Sequence, residues 1–174
     1  MPDLAPQSPV SMVESLEELV QLLNLATVRF YELSAQWDDT IDPKSDEVDE
    51  DASTAPDDED PSAEPVFVGE FRTAFRKRID GIDYRVSVRV PRSTGDIVVD
   101  AAAMYVAPTP FDTTREVLMA FGEMVAAMTI LPYLRQAVMD LSIRITPDEP
   151  VVVPMIQRGA ITFGLEDDDD DSDS

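Results

Sequence analysis

The segment from Phe111 to Ile145 constrains the fold most strongly, because its apolar residues recur at helical spacing along its length. Asp112 or Thr113 can cap the start of a helix, and Thr113 with Glu116 has the spacing of a capping box. Pro132 has no backbone N–H and interrupts helices, but it suits the first turn of a new one. The pattern predicts two amphipathic helices joined at residues 130–132, each with an apolar stripe that requires a partner surface.

The residues before this segment alternate between apolar and polar with a period of two, which is typical of β-strands. A short helix capped by Ser11 or Ser15 precedes them and ends near Asn24. Asp80-Gly81 is predicted to form a hairpin turn. The element order indicates an α+β fold, an antiparallel four-stranded meander followed by two helices on one face, with a short extra N-terminal helix. The four strands are predicted at residues 26–37, 66–79, 84–90 and 97–106.

Acidic residues are concentrated in two segments of the 174-residue chain, whose formal net charge is −23. Residues 38–64 hold thirteen acidic residues with Lys44 as their one base, and residues 166–174 hold seven acidic residues and no base. The remainder holds 16 acidic and 12 basic residues and is nearly balanced. Blocks of like charge indicate disordered segments. We predict a tail and short helix at residues 1–24, a domain at residues 25–165 interrupted by the disordered acidic insertion at 38–64, and a disordered acidic tail at 166–174.

Neither cysteine nor histidine occurs in the chain, which removes disulfides, thiolate nucleophiles, imidazole bases and most zinc or haem sites. Glu70, Asp83, Asp100 and Asp140 do not form a recognisable acid–base pair, and no phosphate-binding motif occurs. We therefore predict no catalytic residues, no metal site and no cofactor. No uninterrupted apolar run reaches the roughly 20 residues of a membrane span, and the N-terminus is acidic where a signal peptide is basic. These features predict a cytoplasmic protein without a membrane span.

Residues 131–135 read Leu-Pro-Tyr-Leu-Arg at the predicted start of the second helix. They resemble the Phe-Pro-Tyr-x-Arg segment that opens the second helix of the SecB-type chaperone family, whose members hold unfolded preproteins for export. Residues 84–90 resemble its third strand, and Tyr31 and Trp37-Asp38 resemble positions in its first strand. The resemblance covers residues 25–163 and implies a four-stranded antiparallel sheet followed by two helices.

Two departures indicate a divergent member of that family. Phe163 is the one match to the family's C-terminal Pro-x-Asn-Phe motif, and Ser34 stands where the first strand of the family carries an acidic residue. In the export chaperones such acidic residues help to dock the translocase motor. The resemblance therefore implies a client polypeptide as the main partner. It implies a translocase motor less strongly.

The resemblance implies a holdase that binds unfolded or non-native polypeptides in apolar grooves, for protein export or for a dedicated client such as an antitoxin. It also implies a homo-oligomer, a dimer or a homotetramer built through sheet edges and first helices. Small or flexible side chains at Ala120, Met124 and Ala127 suit the contact between helices. The candidate residues of the client-binding groove are Phe67, Phe71, Phe75, Tyr133 and Phe163.

A second class of function also fits the composition. Acidic tracts repel phosphate, so we do not expect direct binding of nucleic acid. The same tracts suit an acidic adaptor or DNA mimic that docks on a basic partner. Salt separates the two hypotheses, because high ionic strength screens docking between charges and spares apolar binding.

Overall fold

The structure, a computed structural model, describes residues 10–36, 67–92, 95–147 and 150–165. The predicted acidic insertion at 38–64 and acidic tail at 166–174 lie outside the described residues, as does the first-strand pair Trp37-Asp38. The elements in chain order are β1 (Ser11–Val13), α1 (Leu16–Leu22), β2 (Asn24–Ala35), β3 (Glu70–Arg78), β4 (Gly81–Val90), β5 (Ile97–Val106), β6 (Phe111–Thr113), α2 (Arg115–Ile145) and β7 (Gly164–Leu165).

Four long strands form one antiparallel sheet in the order β2-β5-β4-β3, and β7 adds a short parallel strand beside β3. The predicted α+β class and the four-stranded antiparallel sheet are confirmed. The predicted meander order is wrong at its first strand, because β2 pairs with β5 and not with β3. Short turns make β3–β4 and β4–β5 pair as hairpins, whereas residues 36–69 separate β2 from β3, so these two strands need not be neighbours. The first hairpin turn lies at Ile79-Asp80, one residue earlier than predicted.

A single helix, α2, runs from Arg115 to Ile145, so the predicted break at residues 130–132 is wrong. Pro132 lies inside the helix and is exposed. Its missing N–H leaves one backbone carbonyl of the preceding turn without its helical donor. Its neighbours Leu131 and Leu134 are buried. Their burial on the sheet keeps the chain helical through the proline.

Hydroxyl side chains cap the start of both helices. Ser15, one of the two predicted caps, accepts a hydrogen bond from the N–H of Glu18 at the start of α1. Thr114 accepts one from the N–H of Val117 at the start of α2. The two predicted caps of this helix, Asp112 and Thr113, lie instead in β6, so the helix begins after both of them.

The core lies between the sheet and one side of α2. Alternate residues of β4 and β5 face the helix, which follows from the period of two along a strand. Two of those from β5 are alanines, whose small side chains let the helix approach closely. The fully buried residues of this layer include Ile82, Tyr84, Val86 and Val88 from β4, Val99, Ala101 and Ala103 from β5, and Ile130, Leu134 and Val138 from α2.

A π-helical turn at Gly122–Ala126 interrupts the α-helical pattern of α2, and tyrosine hydroxyls from the sheet bind the helix on both sides of it. The hydroxyl of Tyr84 in β4 donates to the carbonyl oxygen of Leu118 over 2.7 Å. The hydroxyl of Tyr105 in β5 donates to Oγ1 of Thr129 over 2.9 Å. The sheet therefore fixes both the position and the register of the helix.

Helix α2 is long and apolar enough, by length and composition, to cross a membrane, with a mean hydropathy of 1.7 in its most apolar window. Core helices pass the same test, and 44% of that window is buried inside the protein. The exposed residues of the helix are a mixture of apolar side chains, such as Met124, Met139 and Ile143, and polar or charged ones, such as Gln136, Asp140 and Arg144. The absence of a membrane span stays a prediction from the sequence.

We predict that Tyr84→Phe lowers the free energy of unfolding at neutral pH by about 1 kcal/mol, because the buried carbonyl of Leu118 loses the hydrogen bond from the hydroxyl and keeps only the one from the N–H of Gly122. Denaturant unfolding monitored by circular dichroism measures this change. Tyr133→Phe is the matched control, since Tyr133 is exposed.

The same variant tests a pH dependence. Burial raises the pKa of Tyr84, and the nearby Tyr105 raises it further. Because the pKa of Tyr84 is higher in the folded chain than in the unfolded chain, where it is about 10, the neutral tyrosine stabilises the fold fully below pH 10. This contribution to stability is lost as the pH rises above that value. The free energy of unfolding of the wild type is therefore expected to fall above that pH. A fall of equal size in Tyr84→Phe would contradict the assignment.

Candidate functional site

Two of the predicted groove residues form an aromatic pair that is open to solvent. Phe67 and Phe71 are half-buried, and their ring centroids lie 6.2 Å apart. Phe71 is on the face of β3 that also carries Phe75, as their spacing of four residues along a strand requires. We call Phe67 and Phe71 the aromatic pair.

Phe75 and Phe163 lie beside this pair but inside the core. Phe75 is 1% exposed and Phe163 is 0% exposed, and each ring packs on Tyr84, at centroid distances of 5.8 and 5.3 Å. The prediction that they line an open groove is therefore corrected, because no polypeptide reaches them in this structure. The aromatic pair packs against the buried core cluster to which both rings belong.

The segment that carries Phe163 is fastened to β3. The hydroxyl of Thr73 donates to the carbonyl oxygen of Thr162 over 2.5 Å, and Ala74 and Phe75 pair with Gly164 and Leu165 of β7. Residues near the C-terminus of the described chain thus extend the sheet past β3. The aromatic pair lies at the same side of the sheet, since Phe71 belongs to β3.

Tyr133 lies at the opposite side of the sheet, so the structure does not bring it together with the four phenylalanines. It is 46% exposed and lines a cavity of about 410 Å³ between β2 and α2. We call this cavity the β2 groove. Its apolar lining consists of Phe30, Leu33, Tyr133, Ala137 and Leu141, and its polar rim of Gln136, Asp140 and Arg144.

The sequence did not predict Phe30 and Leu33 as site residues, because strict alternation places them on opposite faces of their strand. The register of β2 against β5 shifts between Phe30 and Glu32, which adds one residue at Tyr31. Phe30 and Leu33 consequently share the face toward α2. The ring of Tyr31 lies instead under the guanidinium of Arg85, 4.8 Å from its centroid. The register of β2 against β5 also shifts between Leu25 and Thr27, which is a second break in the alternation along this strand.

β2 is also an edge strand. It is twelve residues long, it pairs on one side with β5, and no described strand pairs with its other side. Most of its residues are exposed, including Leu25 and Leu33. A long exposed edge with apolar side chains is a surface that another strand can join.

No protein-family model matches this chain, and no curated protein matches its sequence. Five solved chains match its structure. One is the SecB-like chaperone Rv1957 of Mycobacterium tuberculosis in complex with a ChAD peptide from the HigA1 antitoxin, at 19% sequence identity and a TM-score of 0.57. The match covers 80% of this chain and 94% of that one. The chain has a SecB-like fold. This finding confirms the fold that the sequence motifs implied.

The three helix residues predicted for an oligomer interface differ in accessibility on this SecB-like fold. Met124 is 39% exposed, Ala120 is half-buried, and Ala127 is fully buried. Ala127 therefore belongs to the packing within one chain, which corrects its assignment to an interface. Met139 and Ile143, further along α2, are exposed to a similar degree as Met124.

The open face of the SecB-like sheet, which α2 does not cover, carries ion pairs. Both carboxylate oxygens of Asp100 accept hydrogen bonds from Arg85, at 2.7 to 3.0 Å. Asp83 accepts one from Arg78 over 3.0 Å. Two of the four carboxylates considered for acid–base chemistry thus have structural cationic partners.

Proposed function

We propose that this protein is a chaperone of the holdase type, which binds unfolded or non-native polypeptides through apolar surface without catalysing a reaction. The observation that carries the proposal is the aromatic pair, two large apolar side chains that are half-buried on a foundation of buried aromatic rings. The SecB-like fold supports it. The matched SecB-like chaperone was solved with an antitoxin peptide, which supports a polypeptide as ligand.

The aromatic pair suits a client because the rings beneath it are already packed. Phe75 and Phe163 are anchored on Tyr84, so Phe67 and Phe71 rest on a rigid layer and do not require ordering of the core when they bind. At about 25 cal/mol per Å², covering a few hundred Å² of client surface contributes several kcal/mol before ordering costs. Binding at one site is then moderate, and several sites in an oligomer increase it.

The second part of the proposal is a homo-oligomer, a dimer or tetramer, that assembles through β2 and the exposed side of α2. An apolar helix whose outer surface is uncovered is typical of a helix buried in an assembly. Met124, Met139 and Ile143 supply that surface, and the free edge of β2 supplies unpaired backbone groups beside it. The client site at β3 lies at the other side of the sheet and stays accessible in such an assembly.

The proposed client is an unfolded or non-native polypeptide, such as that of a dedicated antitoxin, bound in the cytoplasm and without a cofactor. A translocase motor is a weaker candidate, because Ser34 occupies the first-strand position at which the export chaperones carry an acidic residue. The affinity for a client is expected to survive high salt, in contrast to that of an acidic adaptor.

The client site is tested by binding of reduced and alkylated, permanently unfolded α-lactalbumin, measured by fluorescence anisotropy. The double variant Phe67→Ala/Phe71→Ala is expected to weaken binding by about tenfold or more, since two apolar contacts are lost. Tyr133→Ala is the matched control and is expected to leave the affinity nearly unchanged. The free energy of unfolding of each variant shows that the chain remains folded. A larger loss in Tyr133→Ala than in the double variant would place the client in the β2 groove.

The oligomer is tested by its mass in solution, measured by size-exclusion chromatography with light scattering. The wild type is expected to be a dimer or tetramer, and Leu33→Lys to shift it toward smaller species, because a lysine on an edge strand opposes strand addition. Val152→Lys, at a similarly exposed valine outside β2, is the control and should keep the wild-type mass. A monomeric wild type would contradict this part of the proposal.

A further inference from the structure

Residues 150–163, which connect α2 to β7, run back along the helix in the opposite direction, and we call them the return segment. Near its start, the N–H of Val151 donates to Oγ of the buried Ser142, close to the end of α2, over 2.9 Å. At its end, Phe163 lies near the start of the helix, since a Cβ at Gly122 would be 2.7 Å from its ring. The return segment is therefore anchored at both ends.

The middle of the return segment, residues 154–160, is held much less firmly. Ile156 is half-buried and the other residues of this stretch are exposed. Within the described ranges, a single side-chain hydrogen bond joins the stretch to α2, in which Nη1 of Arg135 donates to the sulfur of Met155. A thioether sulfur is a weak acceptor, so this contact contributes little attachment.

Both partners of this contact are unusual in their surroundings. Met155 is 81% exposed, the largest value for a large apolar side chain in the described part of the chain. Arg135 has no carboxylate partner among the described residues, and the return segment contains no acidic residue. An unpaired guanidinium is thus held against the sulfur of a methionine that solvent reaches freely. An oxygen added to that sulfur would meet a donor already in place.

Peroxides add such an oxygen to exposed methionines. A lone pair of the sulfur attacks one oxygen of hydrogen peroxide, and an S–O bond forms as the O–O bond breaks. The other oxygen leaves with both protons as water, so the sulfur is oxidised by two electrons and the peroxide is reduced. The product is a sulfoxide, whose polar oxygen accepts hydrogen bonds. From a guanidinium it accepts a charge-assisted one, which is stronger than the bond between neutral groups.

We propose that Met155 is a site of reversible oxidation by peroxide, at which the guanidinium of Arg135 binds the sulfoxide oxygen and fastens the return segment to α2. Oxidation then replaces a weak contact by a strong one at the loosest part of this segment. Reduction of the sulfoxide by a methionine sulfoxide reductase restores the thioether and the weak contact. The proposal goes beyond the chaperone function and does not depend on it.

The selectivity of the site is tested with the full-length protein and limiting hydrogen peroxide, with the sulfoxide at each methionine measured by peptide mass spectrometry over time. Met12 is the internal control, because it is 66% exposed and has no donor to its sulfur among the described residues. Met155 is expected to be oxidised about threefold faster than Met12, since the guanidinium stabilises the negative charge that develops on the departing oxygen.

The fastening is tested by amide hydrogen exchange of residues 155–158 before and after oxidation. Oxidation is expected to slow exchange by about threefold in the wild type, because the new hydrogen bond opposes local opening. Met155→Leu, which peroxide does not oxidise, is expected to show no such change, and this variant excludes effects of the other methionines. Arg135→Gln is expected to lose the slowing. Arg144→Gln is the matched control, an exposed arginine of the same helix at the β2 groove, and it should retain the slowing.

Three results would overturn the proposal. The first is oxidation of Met12 at the same rate as Met155 or faster, which would indicate that exposure alone decides the reaction. The second is exchange of residues 155–158 that is unchanged or faster after oxidation of the wild type. The third is a slowing in Arg135→Gln as large as that in Arg144→Gln, which would show that the guanidinium of Arg135 does not hold the sulfoxide.

Discussion

The contact on which the rest of the structure depends is that of Tyr84 with α2. Its ring packs against Phe121 of the helix, with centroids 5.6 Å apart, and its hydroxyl binds the carbonyl oxygen of Leu118. Gly122 makes this approach possible, since a Cβ at that position would lie 2.8 Å from the Tyr84 ring and 2.7 Å from Phe163. The π-helical turn that begins at Gly122 is thus part of the contact between helix and sheet.

This single contact determines which apolar surfaces remain outside the core. With α2 fixed over β4 and β5, the sheet extends past the helix on both sides, and each side ends in an apolar surface. At β3 this surface is the aromatic pair, and at β2 it is the groove lined by Phe30, Leu33 and Tyr133. A small chain that buried all of its large apolar residues would have no such surfaces. Their presence on opposite sides fits the proposal that one binds a client while the other joins a second copy.

The sequence predicted the parts of the structure that depend on local patterns. The period of two in β4, the cap at Ser15 and the apolar stripe of α2 all appear as expected. It did not predict the pairing of β2 with β5, because strand order depends on contacts between residues far apart in the chain. The continuity of α2 through Pro132 was missed for a similar reason, since burial on the sheet outweighs the local cost of the proline.

The predicted client-binding residues lie in two separate places, and they differ in burial. The four phenylalanines lie together around β3, but sequence does not distinguish a ring packed on Tyr84, such as Phe75, from one at the surface, such as Phe71. Tyr133 was assigned to the same groove through its motif, and only the fold shows that it faces β2. The register shift at Tyr31 places Phe30 in the β2 groove, on the same face as Leu33, which simple alternation does not predict.

The central claim is that apolar surface, and not charge, holds a non-native polypeptide. The most direct measurement is light scattering of a model protein that aggregates on reduction, with this protein added at low and at high salt and the oligomer mass determined in the same samples. We expect stoichiometric suppression of aggregation that persists or increases at high salt, from a dimer or tetramer. No suppression, or suppression that disappears as salt rises, would contradict the account and favour an acidic adaptor.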